Sequence, residues 1–313
     1  MIVFGPIPSR RLGQSLGINN IPAKTCSYSC VYCQIGRTNK MQMSRSNFYD
    51  PKDIFLETQS KINDLNTKGE KVDYITFVAD GEPTLDINLG TEIELLRQFG
   101  IKIAVITNAS LIWMDDVKRD LMKADWVSIK IDAANQDDWY KVDRPHGNLR
   151  IERIIKGTLD FAESYKGTLV TETMLVSGFN DNKKCLYEVG VQLAKIKPAK
   201  AYILVPTRPP AESNVKRPSA SKLKMAFSAV RTLANVEVEC ITEDEGESFF
   251  FADDIVNELL SILSVHPVRE EVIDKLLKER KINKKLITDL VQKELIKEFI
   301  YENKKFFRKN QDK

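Results

Sequence analysis

The sequence is poor in histidine and in long apolar runs. Its 313 residues include only 2 His, 3 Trp and 5 Cys. No apolar stretch approaches the roughly 20 residues that a helix needs to span a bilayer, which argues against membrane-spanning helices. Residues 1–6 lack the charged segment and the long apolar run of a secretory signal. We therefore expect a cytoplasmic protein with no membrane partner.

The composition indicates neither disorder nor a strong charge of one sign. Hydrophobic residues make up 42% of the chain and charged residues 29%, as in ordinary globular proteins. The net charge of +3 is too balanced to indicate a nucleic-acid partner by itself. The charge is uneven, however, because residues 266–313 carry 14 Lys or Arg against 9 Asp or Glu. The length predicts one large domain with an appendage.

Short apolar runs rich in β-branched residues alternate with amphipathic segments through most of the chain. The runs mostly lack strict alternation, which is typical of strands buried on both faces. Strands that alternate with helices predict βαβ units around a parallel sheet. We expect an α/β fold with an incomplete (β/α)6-type parallel barrel over residues 1–245. The predicted strands are Leu16–Asn19, Val72–Ala79, Ile101–Thr107, Trp126–Asp132, Thr168–Val176, Ala201–Pro206 and Val236–Ile241, and the predicted helices are Pro51–Leu65, Leu89–Phe99, Met114–Met122, Ile151–Tyr165, Lys183–Ile196 and Ser219–Ala234.

The pattern changes from about Asp253 onward. Three helix-like segments precede Leu295–Arg308, which we expect to form a hairpin around Glu302 and Asn303, and this order predicts a winged-helix-like C-terminal domain over residues 253–313. The basic bias of this region favours nucleic acid weakly, whereas the mixed signs of its charges favour protein contact or a cover over the barrel. The predicted helices are Asp253–Ser264, Pro267–Glu279 and Lys284–Lys293, and the predicted linker is Asp244–Glu247.

Three of the five cysteines, Cys26, Cys30 and Cys33, fall within eight residues with the spacing C-x3-C-x2-C. A reducing cytosol disfavours a structural disulfide, and one tight cluster indicates metal ligation. Iron–sulfur clusters normally take four ligands, so three thiolates would leave one iron open to a small molecule. Zinc and simple core packing are the alternatives, but zinc also wants four ligands. Cys185 and Cys240 stand alone, and we expect them to be ordinary buried thiols.

This spacing, with Tyr32 before the last cysteine, resembles the radical S-adenosylmethionine (SAM) superfamily. The resemblance implies a [4Fe-4S] cluster on Cys26, Cys30 and Cys33, with SAM chelating the open iron and Tyr32 close to the cofactors. It further implies reductive cleavage of SAM to a 5′-deoxyadenosyl radical, which abstracts a hydrogen atom from an unidentified substrate. A flavodoxin- or ferredoxin-like electron donor is expected as a partner.

A second segment with the same resemblance follows the next predicted strand. Asp80, Gly81, Glu82 and Pro83 are similar to the Gly-Gly-Glu-Pro segment of that superfamily, which implies contact with the SAM ammonium group. A carboxylate or carbonyl at a strand end is a suitable acceptor for an ammonium donor. Asp80 stands where the family has its first glycine, although its backbone can still present the carbonyl. Alone, Gly-Glu-Pro is most often a turn.

The ends of the other strands supply further candidate SAM contacts. Asn108 closes the third predicted strand, and Ser128, Lys130 and Asp132 alternate along the fourth. By analogy with the superfamily, we expect these side chains to reach the ribose or the carboxylate of SAM. A mutual Lys130–Asp132 salt bridge is the alternative, because unpaired buried charges are costly. Val205 ends the sixth strand, where the family often packs apolar residues on adenine.

Two further segments, residues 5–17 and 143–147, resemble one branch of the superfamily. That branch contains uncharacterised Fe-S oxidoreductases related to the wyosine-forming tRNA enzymes. Wyosine-forming enzymes carry additional cysteines for a second cluster. Cys185 and Cys240 alone are too few for a full auxiliary cluster, which weighs against that specific activity.

Four side chains of these two segments are candidate substrate ligands: Arg10, Arg11, Arg144 and His146. The planar fork of arginine suits a carboxylate or a phosphate, and we expect the four to line the mouth of the barrel around an anionic substrate. In the alternative interpretation, Arg10 and Arg11 brace a surface loop and His146 caps a turn.

Two classes of function are compatible with these features. The first is a radical SAM enzyme, whose substrate is either a metabolite or a macromolecule such as tRNA. The second is a nucleic-acid-binding regulator that uses the cluster as a redox sensor, and it predicts salt-dependent DNA binding without SAM cleavage. The segment Gly81-Glu82-Pro83 argues against the regulator, since a sensor needs no ammonium acceptor there.

Overall fold

The computed structural model describes residues 2–78, 80–242 and 255–310. The strands are β1 (Val3–Ser9), β2 (Gly13–Ile18), β3 (Thr25–Cys26), β4 (Lys40–Met41), β5 (Tyr74–Phe77), β6 (Lys102–Thr107), β7 (Trp126–Lys130), β8 (Thr168–Met174), β9 (Lys200–Leu204), β10 (Val238–Ile241), β11 (Val268–Arg269), β12 (Ile296–Tyr301) and β13 (Lys304–Lys309). The helices are α1 (Pro51–Thr67), α2 (Leu89–Leu96), α3 (Asp115–Leu121), α4 (Gln136–Val142), α5 (Ile151–Ser164), α6 (Lys183–Ile196), α7 (Ala220–Ala234), α8 (Ile255–Val265), α9 (Glu270–Glu279) and α10 (Lys285–Gln292).

An eight-stranded sheet in the order β1-β2-β5-β6-β7-β8-β9-β10 forms the larger part of the molecule. The seven strands from β2 to β10 in this order pair in parallel, and β1 pairs antiparallel with β2 at the edge. This confirms the α/β fold and the mostly parallel sheet, with a counterpart for every predicted strand. Among the described residues, the pairing runs from β1 to β10 without closing, so the sheet is open.

The edge strand β1 was not predicted, because its residues include Gly5, Pro6 and Pro8. Proline cannot donate a hydrogen bond to a neighbouring strand and is therefore confined to sheet edges and irregular positions. The register of β1 against β2 shifts between Phe4 and Ile7, which accommodates this stretch. A sequence that reads as a loop is thus a strand because tertiary pairing overrides local preference.

Helices follow the strands as predicted, and four of the described helices, α1, α4, α6 and α7, begin at a side-chain cap. The Asp50 side chain accepts a hydrogen bond from the Lys52 backbone N at 2.9 Å, with Pro51 in the first turn of α1. A capping carboxylate followed by proline is a typical start of a helix. At α6 the cap is Asn182, whose side chain accepts from the Cys185 N at 2.9 Å. Helix α4 is only seven residues long, too short for a clear helical period in the sequence.

Alternate residues along each strand divide between the two faces of the sheet. On β6, Ile103 and Val105 belong to the large core between sheet and helices, whereas Ala104 belongs to a smaller cluster on the opposite face. The same alternation on β7 places Ser128 and Lys130 on the opposite face. The inner face of the sheet therefore presents polar side chains toward the carboxyl ends of the strands, where α/β proteins bind ligands.

The C-terminal unit consists of α8, α9, α10 and a three-stranded sheet in the order β11-β13-β12. It has its own apolar core, which includes Leu263, Ile273 and Phe307. The predicted hairpin is present, and Glu302 and Asn303 at its turn both have positive φ, 47° and 60°, as in tight hairpin turns. The predicted linker Asp244–Glu247 lies outside the described residues.

One predicted helix of this unit begins later than expected. Val268 and Arg269 pair with Phe307 and Phe306 of β13, so these two residues are extended and α9 starts at Glu270. The apolar pattern alone does not reveal this strand, because its partner lies far away in the sequence. Among the described residues, no helix is both long and apolar enough to cross a membrane.

A buried pair of carboxylates connects α2 to the loop before it. Glu92 and Asp86 are both 0% exposed, and Asn20 Nδ2 donates to Glu92 Oε2 at 3.1 Å. Glu92 Oε1 and Asp86 Oδ2 accept no hydrogen bond from the described residues. Burial, together with the nearby Asp86 charge, raises the pKa of Glu92. A protonated Glu92 can donate to Asp86, which leaves one negative charge in the pair.

Because the pKa of Glu92 is raised in the folded state, its contribution to stability is present at low pH and is lost as the pH rises through the folded-state value. We expect Glu92→Gln to reduce the loss of unfolding free energy between pH 6 and pH 9 by on the order of 1–3 kcal/mol. Urea unfolding at the two pH values measures this difference. Glu94→Gln, on the exposed side of α2, is the control. An equal pH dependence in wild type and Glu92→Gln would contradict the shared proton.

Candidate functional site

The three clustered cysteines lie on one loop that leads away from β3. Backbone hydrogen bonds from Cys33 N to Cys30 O and from Gly36 N to Cys33 O, both 3.1 Å, wind the loop into consecutive turns. Strand β3 pairs in parallel with β4, which holds the two ends of the loop together. All three thiols line a cavity of about 340 Å³, bordered by the carboxyl ends of the sheet strands.

The segment 143–147 braces the cysteine loop through its backbone. Ser29 N donates to Asp143 O at 3.1 Å, and His146 N donates to Ser27 O at 2.8 Å. Tyr28 forms an isolated antiparallel bridge with Pro145. The resemblance of this segment to one branch of the superfamily therefore corresponds to a structural contact with the cysteine loop.

Gly81 marks the point where the cysteine loop touches the end of β5. A Cβ atom on Gly81 would lie 1.8 Å from the Thr25 carbonyl oxygen. The same oxygen accepts a hydrogen bond from Glu82 N at 3.2 Å. Backbone of the two segments packs so closely that only glycine fits.

The Glu82 carboxylate is 1% exposed and ties this loop to the end of β6. Its Oε1 accepts hydrogen bonds from Thr84 N at 3.0 Å, Thr84 Oγ1 at 2.6 Å and Thr107 Oγ1 at 2.6 Å, and its Oε2 accepts from Asn108 N at 2.8 Å. Burial raises the pKa of Glu82, although these hydrogen bonds oppose the shift. Oε2 has a single donor, so it retains the capacity to accept from a ligand.

Asp80 is also buried, with 3% of its surface exposed. Its carbonyl oxygen accepts from Lys24 N at 2.7 Å, and its Oδ2 accepts from Asn19 Nδ2 at 2.8 Å. Oδ1 has no hydrogen-bond partner among the described residues. Burial raises the pKa of Asp80 to about 7. The side chain thus adds an acceptor at the position where the resemblance to the Gly-Gly-Glu-Pro segment predicts glycine.

Polar residues of the next two strand ends contact the cysteine loop. Asn108 Nδ2 donates to Ser27 Oγ at 3.0 Å and lies 3.6 Å from Cys26 Sγ. The Lys130 ammonium lies 4.9 Å from the centroid of the Tyr32 ring. Burial alone would lower the pKa of Lys130, but the surrounding carboxylates, Asp132 first, raise it. Lys130 therefore remains a cation beside the thiols.

For the fourth predicted strand we expect either contacts with SAM or a salt bridge between Lys130 and Asp132. The structure shows a different role for Asp132 and Ser128. Asp132 accepts hydrogen bonds from Tyr32 Oη and, at 2.6 Å, from Met174 N. Ser128 Oγ donates to Glu172 Oε1 at 2.6 Å. Both side chains hold neighbouring groups in place, and neither lines the cavity.

Most of the predicted site residues border the same cavity. Those that line it are Cys26, Cys30, Tyr32, Cys33, Asp80, Gly81, Glu82, Asn108, Lys130, Val205 and Arg11, and those that do not are Pro83, Ser128, Asp132, Arg10, Arg144 and His146.

The four candidate substrate ligands separate in the structure. Arg11 lines the cavity and forms an ion pair with Glu172, whereas Arg10 is exposed. Arg144 bonds Glu212 at 2.5 Å, and His146 Nδ1 accepts from the Asn148 backbone N at 3.2 Å, which caps a turn. His146 therefore caps a turn, as in the alternative interpretation. Of the four side chains, Arg11 alone borders the cavity.

Sequence reasoning did not assign several residues that border the cavity. Glu172 carried a signal, because it is a charged residue inside a strand that has no other charge. His266, at the end of α8, carried none, because the C-terminal unit reaches the cavity only through tertiary packing. Arg308 of β13 donates to the Gln34 carbonyl at 3.0 Å, directly after the last cysteine of the cluster. Cys185 is fully buried on α6 and Cys240 is partly buried on β10, and neither lines the cavity.

The pKa shifts of the three thiols indicate what kind of ligand their buried environment favours. Burial raises the pKa of Cys26 to about 12, and the nearby Glu82 adds to the shift. Burial also raises the pKa of Cys30 and of Cys33, and Lys130 only partly opposes this. Buried thiolates therefore require a cationic metal core, and three sulfur donors around one cavity fit an iron–sulfur cluster with one open iron. Among the described residues, no three His, Cys, Asp or Glu side chains are arranged to hold a single metal ion.

Comparisons with known proteins show which families this chain is similar to. The model of the Radical SAM superfamily matches residues 20–186. A UPF0026 protein of Methanocaldococcus jannaschii is 43% identical over 312 residues, which cover 99% of this chain and 96% of that protein. The S-adenosyl-L-methionine-dependent tRNA 4-demethylwyosine synthase of Saccharomyces cerevisiae is 27% identical over 176 residues, and these cover 51% of this chain but only 21% of that protein.

A solved structure shows a related fold. The crystal structure of a radical SAM methyltransferase from Sphaerobacter thermophilus superimposes with a TM-score of 0.56 at 14% sequence identity, covering 73% of this chain and 66% of that chain. At this identity the likeness concerns the fold alone. The mostly parallel open sheet resembles the partial barrels of such enzymes.

The contact between Gly81 and Thr25 generates a test of the site geometry. We expect Gly81→Ala to displace the cysteine loop, because the new Cβ cannot fit 1.8 Å from the Thr25 carbonyl. Iron bound per protein after anaerobic reconstitution should fall several-fold, by roughly 2–10-fold. Gly147→Ala is the matched control, since nothing lies within 4 Å of a Cβ there. Equal iron content in the two variants would show that the contact is not needed for loading.

Proposed function

The chain belongs to the radical SAM superfamily and, within it, to the UPF0026 family, and from this premise we propose which of its residues perform the reaction. Enzymes of this superfamily use a [4Fe-4S] cluster and SAM. We propose that Cys26, Cys30 and Cys33 ligate three irons of the cluster and that SAM occupies the fourth. Bound in this way, SAM would supply a 5′-deoxyadenosyl radical for hydrogen abstraction from the substrate. Membership in a superfamily of enzymes favours this function over a redox-sensing regulator.

One observation carries the proposal: the three thiols share a single cavity with Glu82, Asn108, Lys130 and Val205. Each of these last four residues follows or ends a different strand of the sheet. Their side chains offer a carboxylate, an amide, a cation and an apolar surface around one space. This set matches the ammonium, carboxylate and adenine groups of SAM.

When bound, the cluster supplies the electron that cleaves the C–S bond of SAM. In the proposed site, Glu82 Oε2 accepts a hydrogen bond from the ammonium group, and the Lys130 cation attracts the carboxylate. Asn108 donates toward Cys26 Sγ, which stabilises negative charge on that sulfur. Val205, 4% exposed, packs against the adenine. Walls of Phe4, Ile7 and Ile106 keep water from the reactive carbon.

The C-terminal unit covers part of this cavity. Arg308 and Tyr301 donate hydrogen bonds to the Gln34 and Pro206 carbonyls, and His266 lines the cavity. We propose that the larger part is an incomplete (β/α) barrel spanning residues 1–245 and that residues 253–313 are a winged-helix-like domain. In this arrangement the small domain covers the mouth and excludes solvent.

Removal of one thiol tests the proposed cluster site. We expect Cys30→Ala to lower the formation of 5′-deoxyadenosine from SAM with dithionite about 100-fold or more, since an iron loses its ligand. Anaerobic reconstitution, electron paramagnetic resonance and chromatography of the nucleoside products measure cluster and cleavage together. Cys240→Ala, outside the cavity, is the control. Full cleavage activity in Cys30→Ala would overturn the proposed ligand set.

A tRNA substrate is the second candidate, and the similarity to the yeast 4-demethylwyosine synthase favours it. If a tRNA is the substrate, unfractionated tRNA should accelerate 5′-deoxyadenosine formation by about tenfold and acquire a modified nucleoside. Mass spectrometry of digested tRNA detects that nucleoside. Heat-treated enzyme is the control for unspecific damage. Unchanged cleavage rates and unchanged nucleosides would exclude tRNA under these conditions.

A further inference from the structure

Two segments form and brace the cysteine loop, residues 24–40 and 143–150, and they present a one-sided charge. Residues 24–40 contain no Asp or Glu. The single acid of the other segment, Asp143, is 3% exposed and accepts a hydrogen bond from Cys30 Sγ at 3.3 Å. Neither segment therefore has an exposed carboxylate. The exposed cations of the two segments, here called the cationic rim, are Arg37, Lys40, Arg144 and Arg150.

One carboxylate from another loop contacts the rim, but it does not neutralise the surface. Glu212 Oε1 lies 2.8 Å from Arg37 Nε and 2.5 Å from Arg144. The Glu212 side chain is 13% exposed, whereas the Arg37 side chain is 70% exposed and that of Arg144 is 42% exposed. The acid thus lies beneath two guanidinium groups. The groups exposed to solvent at this point are therefore the positively charged guanidinium groups.

Short hydrogen-bonded paths connect the rim to the cysteines. Gly36, the neighbour of Arg37, donates its N–H to Cys33 O at 3.1 Å. Ser29, the neighbour of Cys30, donates its N–H to Arg144 O at 3.2 Å. Arg37 and Arg144 therefore lie beside the loop that carries the proposed cluster ligands.

We propose that the cationic rim is the docking surface for an acidic, low-potential flavoprotein that carries single electrons. The inference rests on the proposed function, because SAM cleavage consumes one electron per event. In the transfer, one electron leaves the reduced carrier and enters the cluster, so the carrier is oxidised by one electron and the cluster is reduced by one. Opposite charges on the two surfaces accelerate encounter and fix orientation.

The aromatic residues of the two segments argue against a nucleic acid as the occupant. Tyr28 and Tyr32 are 4% and 8% exposed, so neither offers a face for base stacking. Single-stranded nucleic acids are usually held by such stacking together with basic grooves. The rim has the cations without the stacking surface, which suits an acidic protein.

Charge reversal at the rim tests the proposal in the full-length, cluster-loaded protein. The variant is Arg37→Glu with Lys40→Glu, and the matched control is Lys166→Glu with Lys195→Glu, exposed lysines at the amino edge of the sheet. Both variants change the charge equally. The probe is an acidic bacterial flavodoxin in its reduced form, and dithionite is the reductant that needs no docking. A second, milder variant is Arg37→Gln.

We expect the rim variant to lose about tenfold in the rate of flavodoxin-driven 5′-deoxyadenosine formation at low ionic strength, a difference that shrinks in high salt. Its dithionite-driven rate should match that of the control variant. Flavodoxin affinity, measured by calorimetry at two salt concentrations, should fall in the same variant, and this measurement does not depend on SAM cleavage.

Equal flavodoxin affinity and rate in the rim and control variants would overturn the proposal. A parallel loss with dithionite would also overturn it, because the residues would then belong to the cluster site itself. Loss of tRNA binding with unchanged flavodoxin binding would assign the rim to nucleic acid instead. If the wild type binds flavodoxin through the rim but never cleaves SAM, the proposed function fails while the docking surface stands.

Discussion

The close contact between the Thr25 carbonyl and the backbone of Gly81 is the constraint on which the site depends. It presses the start of the cysteine loop against the end of β5, and the Glu82 N–H bonds the same carbonyl. Through its carboxylate, Glu82 then reaches Thr107 and Asn108 at the end of β6. One backbone approach thereby aligns the loop with two strand ends. Any side chain at Gly81 separates them.

Buried carboxylates give the site its rigidity. Glu82, Asp132 and Glu172 each accept hydrogen bonds from two or more partners. Removing charges from water is costly unless such partners replace it. The polar residues on the inner face of the sheet are therefore largely occupied with one another. The thiols, Lys130, Glu82 and Asp80 border the cavity as the groups available to the proposed cofactors.

Charge is distributed differently inside and outside the cysteine loop. Inside, burial and then the nearby carboxylates raise the pKa of Cys26 and Cys30, so that the loop favours a cationic core over free thiolates. Outside, the segments that brace the loop expose arginine and lysine. A net charge of +3 for the chain conceals this separation. An iron–sulfur site needs both environments if it binds its metal core tightly and exchanges electrons with an acidic protein.

The sequence by itself determined the alternation of strands and helices and the identity of the three cysteines, because both are local features. The spacing of hydrophobic residues indicates whether each segment is a strand or a helix, and the pattern C-x3-C-x2-C occupies only eight neighbouring residues. The resemblance of residues 80–83 to a superfamily segment indicated Glu82, and the cost of burying a charge in a strand singled out Lys130. Only the tertiary structure decided the rest. The proline-containing segment of β1 forms a strand because it pairs with β2 at the edge of the sheet. Ser128 and Asp132 contact Glu172 and Tyr32, and Arg144 contacts Glu212, because hydrogen-bond partners more than 40 positions apart cannot be read from spacing. His146 caps a local turn instead of bordering the cavity. The reach of His266 into the cavity likewise results from packing between segments distant in the chain.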